Sequence, residues 1–234
     1  MRGLALGGAA CAASAMLAYA VRGRSSTLLA PSVYRGSRSR RAIALTFDDG
    51  PSEGTNQLLE VLNRHGAPAT FFVCGMNVQR LPQVVRATAA AGHEIGNHTF
   101  SHPALYLRSN SFISEEVGAA QSIISDTTGK APELFRAPYG ARWFGLREAQ
   151  RRCNLLGVMW TVLGLDWKLS AAQITRRVLV RAGNGAIICL HDGRAVERNP
   201  DIGRTLEAVE RLIPELRAQG FTFETVTQLL CPTN

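Results

Sequence analysis

Paired cysteines are missing from this chain. Its five cysteines, Cys11, Cys74, Cys153, Cys189 and Cys231, form no C-x-x-C, and three lie in apolar runs. That spacing argues against a disulfide framework or a cysteine-based zinc site and favours small buried hydrophobes. Histidine is scarce, with five residues in 234, so any metal or acid–base site draws on a short list. Acids are absent from residues 1–41, which carry seven arginines. The net charge of +8 therefore belongs to that segment, because from residue 42 onward 19 Lys+Arg face 18 Asp+Glu. A folded part this close to neutral gives no basis for nucleic-acid binding. No internal repeat and no second domain are visible. A hydrophobic fraction of 46% is enough for one sizeable core.

Residues 3–21 run for 19 positions without a charge, after Met1-Arg2, and end at Ala18-Tyr19-Ala20. The pattern fits a secretory signal peptide with a small-x-small cleavage site. It also fits an uncleaved anchor of minimal length. Six arginines follow the run and one precedes it, so an uncleaved segment would leave the rest facing the cytoplasm by the positive-inside rule. Export, cleaved or anchored, is the expectation, and a basic tail beside an apolar stretch suits a membrane surface. Residues 22–41, rich in Arg and Ser, read as a basic flexible linker.

From residue 42 to 230, β-rich apolar runs alternate with helical patterns. Strands are predicted over 42–47, 69–74, 93–96, 134–136, 155–162, 186–190 and 221–225. Helices are predicted over 56–65, 82–91, 111–127, 143–152, 170–182 and 202–219. Proline opens the second helix, and Ser170 with Gln173 forms a capping box at the fifth. About seven β/α units with short connections, and fully apolar strands such as Ile187-Ile188-Cys189-Leu190, point to a parallel sheet covered by helices. Periodicity alone leaves an open doubly wound sheet and a closed barrel as alternatives.

The chemistry-bearing residues fall at the C-terminal ends of the predicted strands. Asp48-Asp49 follows the first, His98 the third, Arg136 the fourth, Asp166 the fifth and His191 the sixth. Active sites of parallel barrels collect on that face. Neighbouring carboxylates leaving a strand point apart, so one can hold a metal while the other reaches the water it activates. A loop-capping pair before Gly50-Pro51 is the plainer alternative. His98 and His102 have the i, i+4 spacing that turns two imidazoles to one side. With Asp49 they make three ligands and leave open positions, as catalytic sites do. Arg136, before Ala137-Pro138, lies at an extended strand end and could hold a carboxylate; a surface ion pair would look the same. His191 follows an apolar strand and could be a core or capping histidine. Asp166 could orient a histidine beside Trp167, an aromatic wall for a sugar ring, or simply cap a helix. Trp143 and Trp160 suit a core or groove wall. His65 and His93 read as structural, and Arg151, Arg152, Arg176, Arg177 and Arg181 as solvated helix faces.

Together, TFDDGPS at 46–52, HTFSH at 98–102, RAPYG at 136–140 and LHDG at 190–193, with Asp166-Trp167 between the last two, resemble the polysaccharide deacetylases, the NodB-homology domain of carbohydrate esterase family four. The resemblance covers about residues 40–230. It implies a distorted (β/α) barrel and a divalent metal, usually zinc, sometimes cobalt or nickel. It implies Asp48 as general base, oriented by Arg136. Asp49, His98 and His102 would be the metal ligands. His191 would be the general acid, tuned by Asp166, and the backbone N–H of Tyr139 an oxyanion donor. Trp167 would line the groove. Two positions depart from the pattern. Leu163 replaces an Asp often found three residues before Asp166, and Cys189 stands where an aliphatic residue usually lines the acyl pocket. The activity implied is removal of N-acetyl groups from N-acetylglucosamine units of a cell-envelope or chitin-like polysaccharide, by a monomer at the envelope. O-deacetylation of xylan, deformylation of a lipid-linked amino sugar, and a catalytically dead sugar-binding module remain alternatives.

Overall fold

The computed structural model describes residues 2–231, with side chains from 12 to 231. In chain order the elements are α1 (Arg2–Arg22), β1 (Ser32–Val33), β2 (Ala42–Gly50), α2 (Thr55–Arg64), β3 (Ala69–Val73), α3 (Gly75–Arg80), α4 (Pro82–Ala90), β4 (Glu94–Asn97), α5 (Asn110–Thr128), β5 (Leu134–Phe135), α6 (Leu146–Arg152), β6 (Leu156–Val158), β7 (Val162–Leu163), α7 (Ala171–Arg181), β8 (Ala186–His191), α8 (Gly203–Ala218), β9 (Thr222–Phe223) and α9 (Val226–Leu230). The caps agree with the sequence. Ser170 Oγ accepts from the Gln173 N–H at 3.4 Å while Gln173 Oε1 accepts from the Ser170 N–H at 3.0 Å, so α7 starts on its capping box. Ser109 caps α5, and Gly129 at φ 75° ends it in the left-handed conformation that glycine tolerates.

One parallel sheet runs β1-β6-β5-β4-β3-β2-β8-β7, with β9 also pairing β2. β2 and β3 are buried along their whole length, as expected of central strands covered on both faces. On the helical side Phe47 stacks on Phe71 at 5.1 Å, among Leu58, Leu62, Ile188, Val209 and Leu212. The fold is a single-domain α/β half-barrel, a distorted (β/α) barrel.

The predicted strand over 155–162 divides in two. β6 lies beside β5 near one end of the sheet, whereas β7 pairs β8 at the other. Met159, Trp160 and Thr161 carry the chain between them, and Met159 N–H donates to Val33 while Thr161 N–H donates to Ile187. The barrel is thus bridged by chain where no ladder closes it. This crossing is what brings strand ends from both sides of the sheet around one centre.

The segment over 22–41, read from sequence as a linker, is packed against the domain. β1 extends the sheet next to β6. Arg142, only 2% exposed, donates to the carbonyls of Val21, Gly23 and Ser26 and to Ser32 Oγ. A single buried guanidinium, with its several donors, gathers the backbone of this stretch. Among the described residues no helix is long and apolar enough to cross a membrane.

Candidate active site

The site begins with a break in β2. Asp48 stays in the sheet, opposite Phe72 on one side and His191 on the other, but the register with β3 shifts between Asp48 and Gly50. Asp49 takes φ 72°, a left-handed conformation uncommon outside glycine. Such a bulge re-aims a side chain, so the two adjacent carboxylates part company. Gly193 lets the β8 loop press on this bulge, because a Cβ there would strike the Asp49 carbonyl.

Asp48 faces Arg136, whose Nη1 donates to Asp48 Oδ1 at 2.6 Å and to Thr46 Oγ1 at 2.7 Å. Arg136 is fully buried. It plugs the gap at the barrel crossing, with Nε donating to Val158 O at 3.1 Å and its guanidinium 4.1 Å from the Phe72 ring centroid. A charge this deep is tolerated only with such partners. Cys189 Sγ lies 3.4 Å from the other Asp48 oxygen. Burial and the Asp48 charge push the Cys189 thiol well above its usual pKa, so it stays a neutral thiol and not a nucleophile.

Asp49 meets the two histidines. Its Oδ1 lies 3.2 Å from His98 Nε2 and 3.0 Å from His102 Nε2, while Oδ2 accepts from the Ala195 N–H at 2.8 Å. His98 and His102 sit on a loop and not on a helix, with φ 66° at Thr99 and 58° at His102. Glu116 holds that loop by accepting from the N–H groups of Phe100 and Ser101. His98 Nδ1 lies 2.7 Å from the Arg136 carbonyl. Only a donor pairs with a carbonyl, so Nδ1 carries the proton and Nε2 presents a lone pair. Burial works to raise the Asp49 pKa, but the His102 and His98 imidazoles beside it hold it well below the usual range.

Asp49, His98 and His102 therefore offer one carboxylate and two imidazoles within 4.8 Å of one another, all buried. Asp49 Oδ1 has no hydrogen-bond partner of its own. This donor set fits a divalent cation with open coordination positions. Asp48, Cys189 and His191 also converge. Each of those is already engaged, however, by Arg136, as a neutral thiol, and by Asp166 respectively.

Asp166 is fully buried. Its Oδ1 faces His191 Nδ1 at 2.8 Å, and Oδ2 accepts from the His191 N–H and from Thr205 Oγ1, each at 2.7 Å. Burial pulls the His191 pKa down, and the Asp166 hydrogen bond and charge more than reverse it, raising it from 6.5 to about 9. Trp167 stands edge-on to His191 at 5.0 Å and is 46% exposed. Tyr139, 59% exposed with φ 58°, packs on His102 at 4.8 Å. Asp48, Asp49, His98, His102, Tyr139, Trp167, Cys189 and His191 open on one cleft of about 580 Å³, shared with Trp160, Leu163, Arg22 and Arg194, while Arg136 and Asp166 are buried behind it.

A family model described as polysaccharide deacetylase matches residues 35–158, over half of the chain. The chain belongs to the polysaccharide deacetylase family. It is 33% identical over 198 residues to a peptidoglycan-N-acetylglucosamine deacetylase of Bacillus cereus, covering 84% of this chain and 70% of that one. It is 36% identical over 198 residues to a chitooligosaccharide deacetylase of Bradyrhizobium, covering 81% and 90%. A peptidoglycan N-acetylglucosamine deacetylase crystallised with 4-naphthalen-1-yl-N-oxidanyl-benzamide superposes with a TM-score of 0.79 at 32% identity, over 84% of this chain and 91% of that one.

All ten residues singled out from the sequence of this deacetylase line or support the cleft. Sequence reasoning missed Asp192, which follows the site histidine. It is buried beneath the β2 bulge, accepts from Thr55 Oγ1 at 2.6 Å, and burial raises its pKa from 3.8 to about 7. It also missed Arg142, Arg22 and Arg194. None of these carries a local signal, since partners over 100 residues away define Asp192 and Arg142.

Proposed function

We propose that this polysaccharide deacetylase hydrolyses N-acetyl groups from N-acetylglucosamine units of a cell-envelope or chitin-like glycan. One observation carries the reading: two oriented pairs, Asp48–Arg136 and His191–Asp166, flank a buried Asp49–His98–His102 cluster in a single cleft. Asp49, His98 and His102 would hold a divalent metal, zinc on this nitrogen and oxygen donor set, which would polarise the acyl carbonyl and acidify the attacking water.

Asp48 takes the water proton as general base. Arg136 pins one of its oxygens, which fixes the direction of the other. The Tyr139 N–H, on a turn exposed to the cleft, donates to the oxygen that gains charge as the tetrahedral centre forms. His191, with Nδ1 turned to Asp166, presents Nε2 to the departing nitrogen. Protonated at neutral pH, it delivers a proton as the C–N bond breaks, giving acetate and a free amine. Trp167 is a flat wall for the sugar ring, and Cys189 closes the floor of the acyl pocket. Export to the envelope and a monomeric state complete the reading, and the names of the relatives support the envelope setting.

The test is acetate release by the full chain from N-acetylglucosamine oligomers, peptidoglycan and acetylated xylan. Release from the N-acetylated glycans supports the proposal. Release from xylan alone makes the protein an O-acetyl esterase. No release from any of them removes the proposal.

A further inference from the structure

The cleft does not end at the catalytic groups. Trp160 and Leu163 line it and also line a second cavity of about 440 Å³. The charged side chains lining that second cavity are four arginines, Arg24, Arg35, Arg177 and Arg181, with no acid among them. Two come from the segment over 22–41 that Arg142 and β1 fasten to the domain, and two from α7. Like charges gathered this way repel unless an anion joins them.

Little of their donor capacity is used. Arg24 Nη1 donates to Thr161 O at 3.0 Å, Arg35 Nη1 to Asn184 O at 3.4 Å and Arg177 Nε to Leu163 O. Those bonds are to backbone carbonyls, and none of the four arginines forms an ion pair among the described residues. Arg35 Nε is buried with no hydrogen-bond partner. A guanidinium has five N–H donors, arranged to grip carboxylate or phosphate oxygens in pairs. An oxyanion would partner both the buried Arg35 Nε and the clustered cations around it.

We propose that this arginine-lined cavity is an extension of the substrate groove that binds a phosphate or carboxylate group carried by the glycan, next to the sugar being deacetylated. The inference rests on the deacetylase reading of the adjoining cleft. It gives the basic segment over 22–41 a place in substrate selection. It also reassigns Arg177 and Arg181, which the sequence suggests are merely solvated.

The experiment compares the full chain with the Arg35→Gln/Arg181→Gln variant, both checked for equal melting temperature. Two readouts are taken. The first is calorimetric binding of pyrophosphate at low and high salt. The second is kcat/KM for three oligosaccharides of equal length: neutral, bearing carboxylates, and bearing a phosphate. The expected result is pyrophosphate binding weakened by salt and lost in the variant. The anionic oligosaccharide should be preferred over the neutral one by about tenfold in the wild type, equivalent to ~1.4 kcal/mol, and this ratio should collapse toward one in the variant. Whichever anionic substrate shows the preference identifies the group. Equal kcat/KM for all three substrates, with deacetylation intact, overturns the subsite and leaves the activity standing. No turnover with pyrophosphate still bound overturns the deacetylase reading instead. Binding to anionic lipid vesicles without any binding of pyrophosphate assigns the arginines to a membrane surface and also overturns the subsite.

Discussion

Asp166→Asn isolates the part of the site that depends on one buried charge. The amide keeps the carboxylate's shape but has a single acceptor oxygen, whereas Asp166 receives donors on both oxygens. Either the imidazole Nδ1–H or the His191 N–H and Thr205 pair loses its acceptor, so some pH-independent loss is expected. The informative part is the pH dependence. Without the Asp166 charge, burial acts against protonation and His191, at about 9 in the wild type, should fall to its ordinary 6.5 or lower. At pH 8 the protonated fraction then drops from ~90% to ~3%, an added loss of roughly 30-fold in kcat/KM, while at pH 6 ionisation contributes less than about twofold. The assay is acetate release across pH 5.5–9.5 for both proteins. Stability should follow the same linkage. A histidine whose folded pKa exceeds its unfolded value stabilises the fold fully below pH 6.5 and loses that contribution as pH rises through about 9, here about 3 kcal/mol. Urea melts at pH 6 and pH 9.5 should show this difference in the wild type and not in the variant. Parallel pH–rate profiles for the two proteins would refute the reasoning.

Other perturbations separate the remaining roles. Asp48→Asn should lower kcat by at least about 100-fold, within the range for a lost general base, yet keep the wild-type metal content by elemental analysis. His98→Ala should instead lose the metal. Arg136→Met should destabilise the fold by about 3–5 kcal/mol in urea unfolding, because it strands Asp48 as a buried, unpaired charge. Asp192→Asn should stabilise the protein as pH rises above the ordinary carboxylate range. Its folded pKa of about 7 means the buried carboxylate opposes folding increasingly from pH 3.8 upward, and thermal melts at pH 5 and pH 8 measure the change.

The candidate site was legible because it sits at strand ends and uses residue types with few other reasons to be there. His98 and His102 are two of five histidines in the chain, and the Asp48-Asp49 pair interrupts a run that is otherwise apolar. What stayed hidden depends on distant contacts. The run 155–162 is continuous in hydropathy, so nothing local marks the three residues at which the chain leaves one end of the sheet for the other. Residues 22–41 look like a linker because they lack an apolar pattern of their own. Arg142, more than 100 residues away, supplies the donors that order them. The i, i+4 histidine spacing pointed to two imidazoles on one side, on a helical turn or a turn-like loop alike. Positive φ angles at Thr99 and His102 achieve the same convergence on a loop, which spacing cannot distinguish. Asp192 was passed over because a carboxylate next to a site histidine reads as solvated until the β2 bulge is seen to cover it.

The most direct measurement is acetate release from N-acetylglucosamine oligomers by the full chain after chelation and stepwise return of zinc, run beside Asp48→Asn. The account predicts no release from the metal-free protein, recovery that saturates at one metal per chain, and none in Asp48→Asn at any metal level. Undiminished release from metal-free protein, or wild-type turnover by Asp48→Asn, would contradict it.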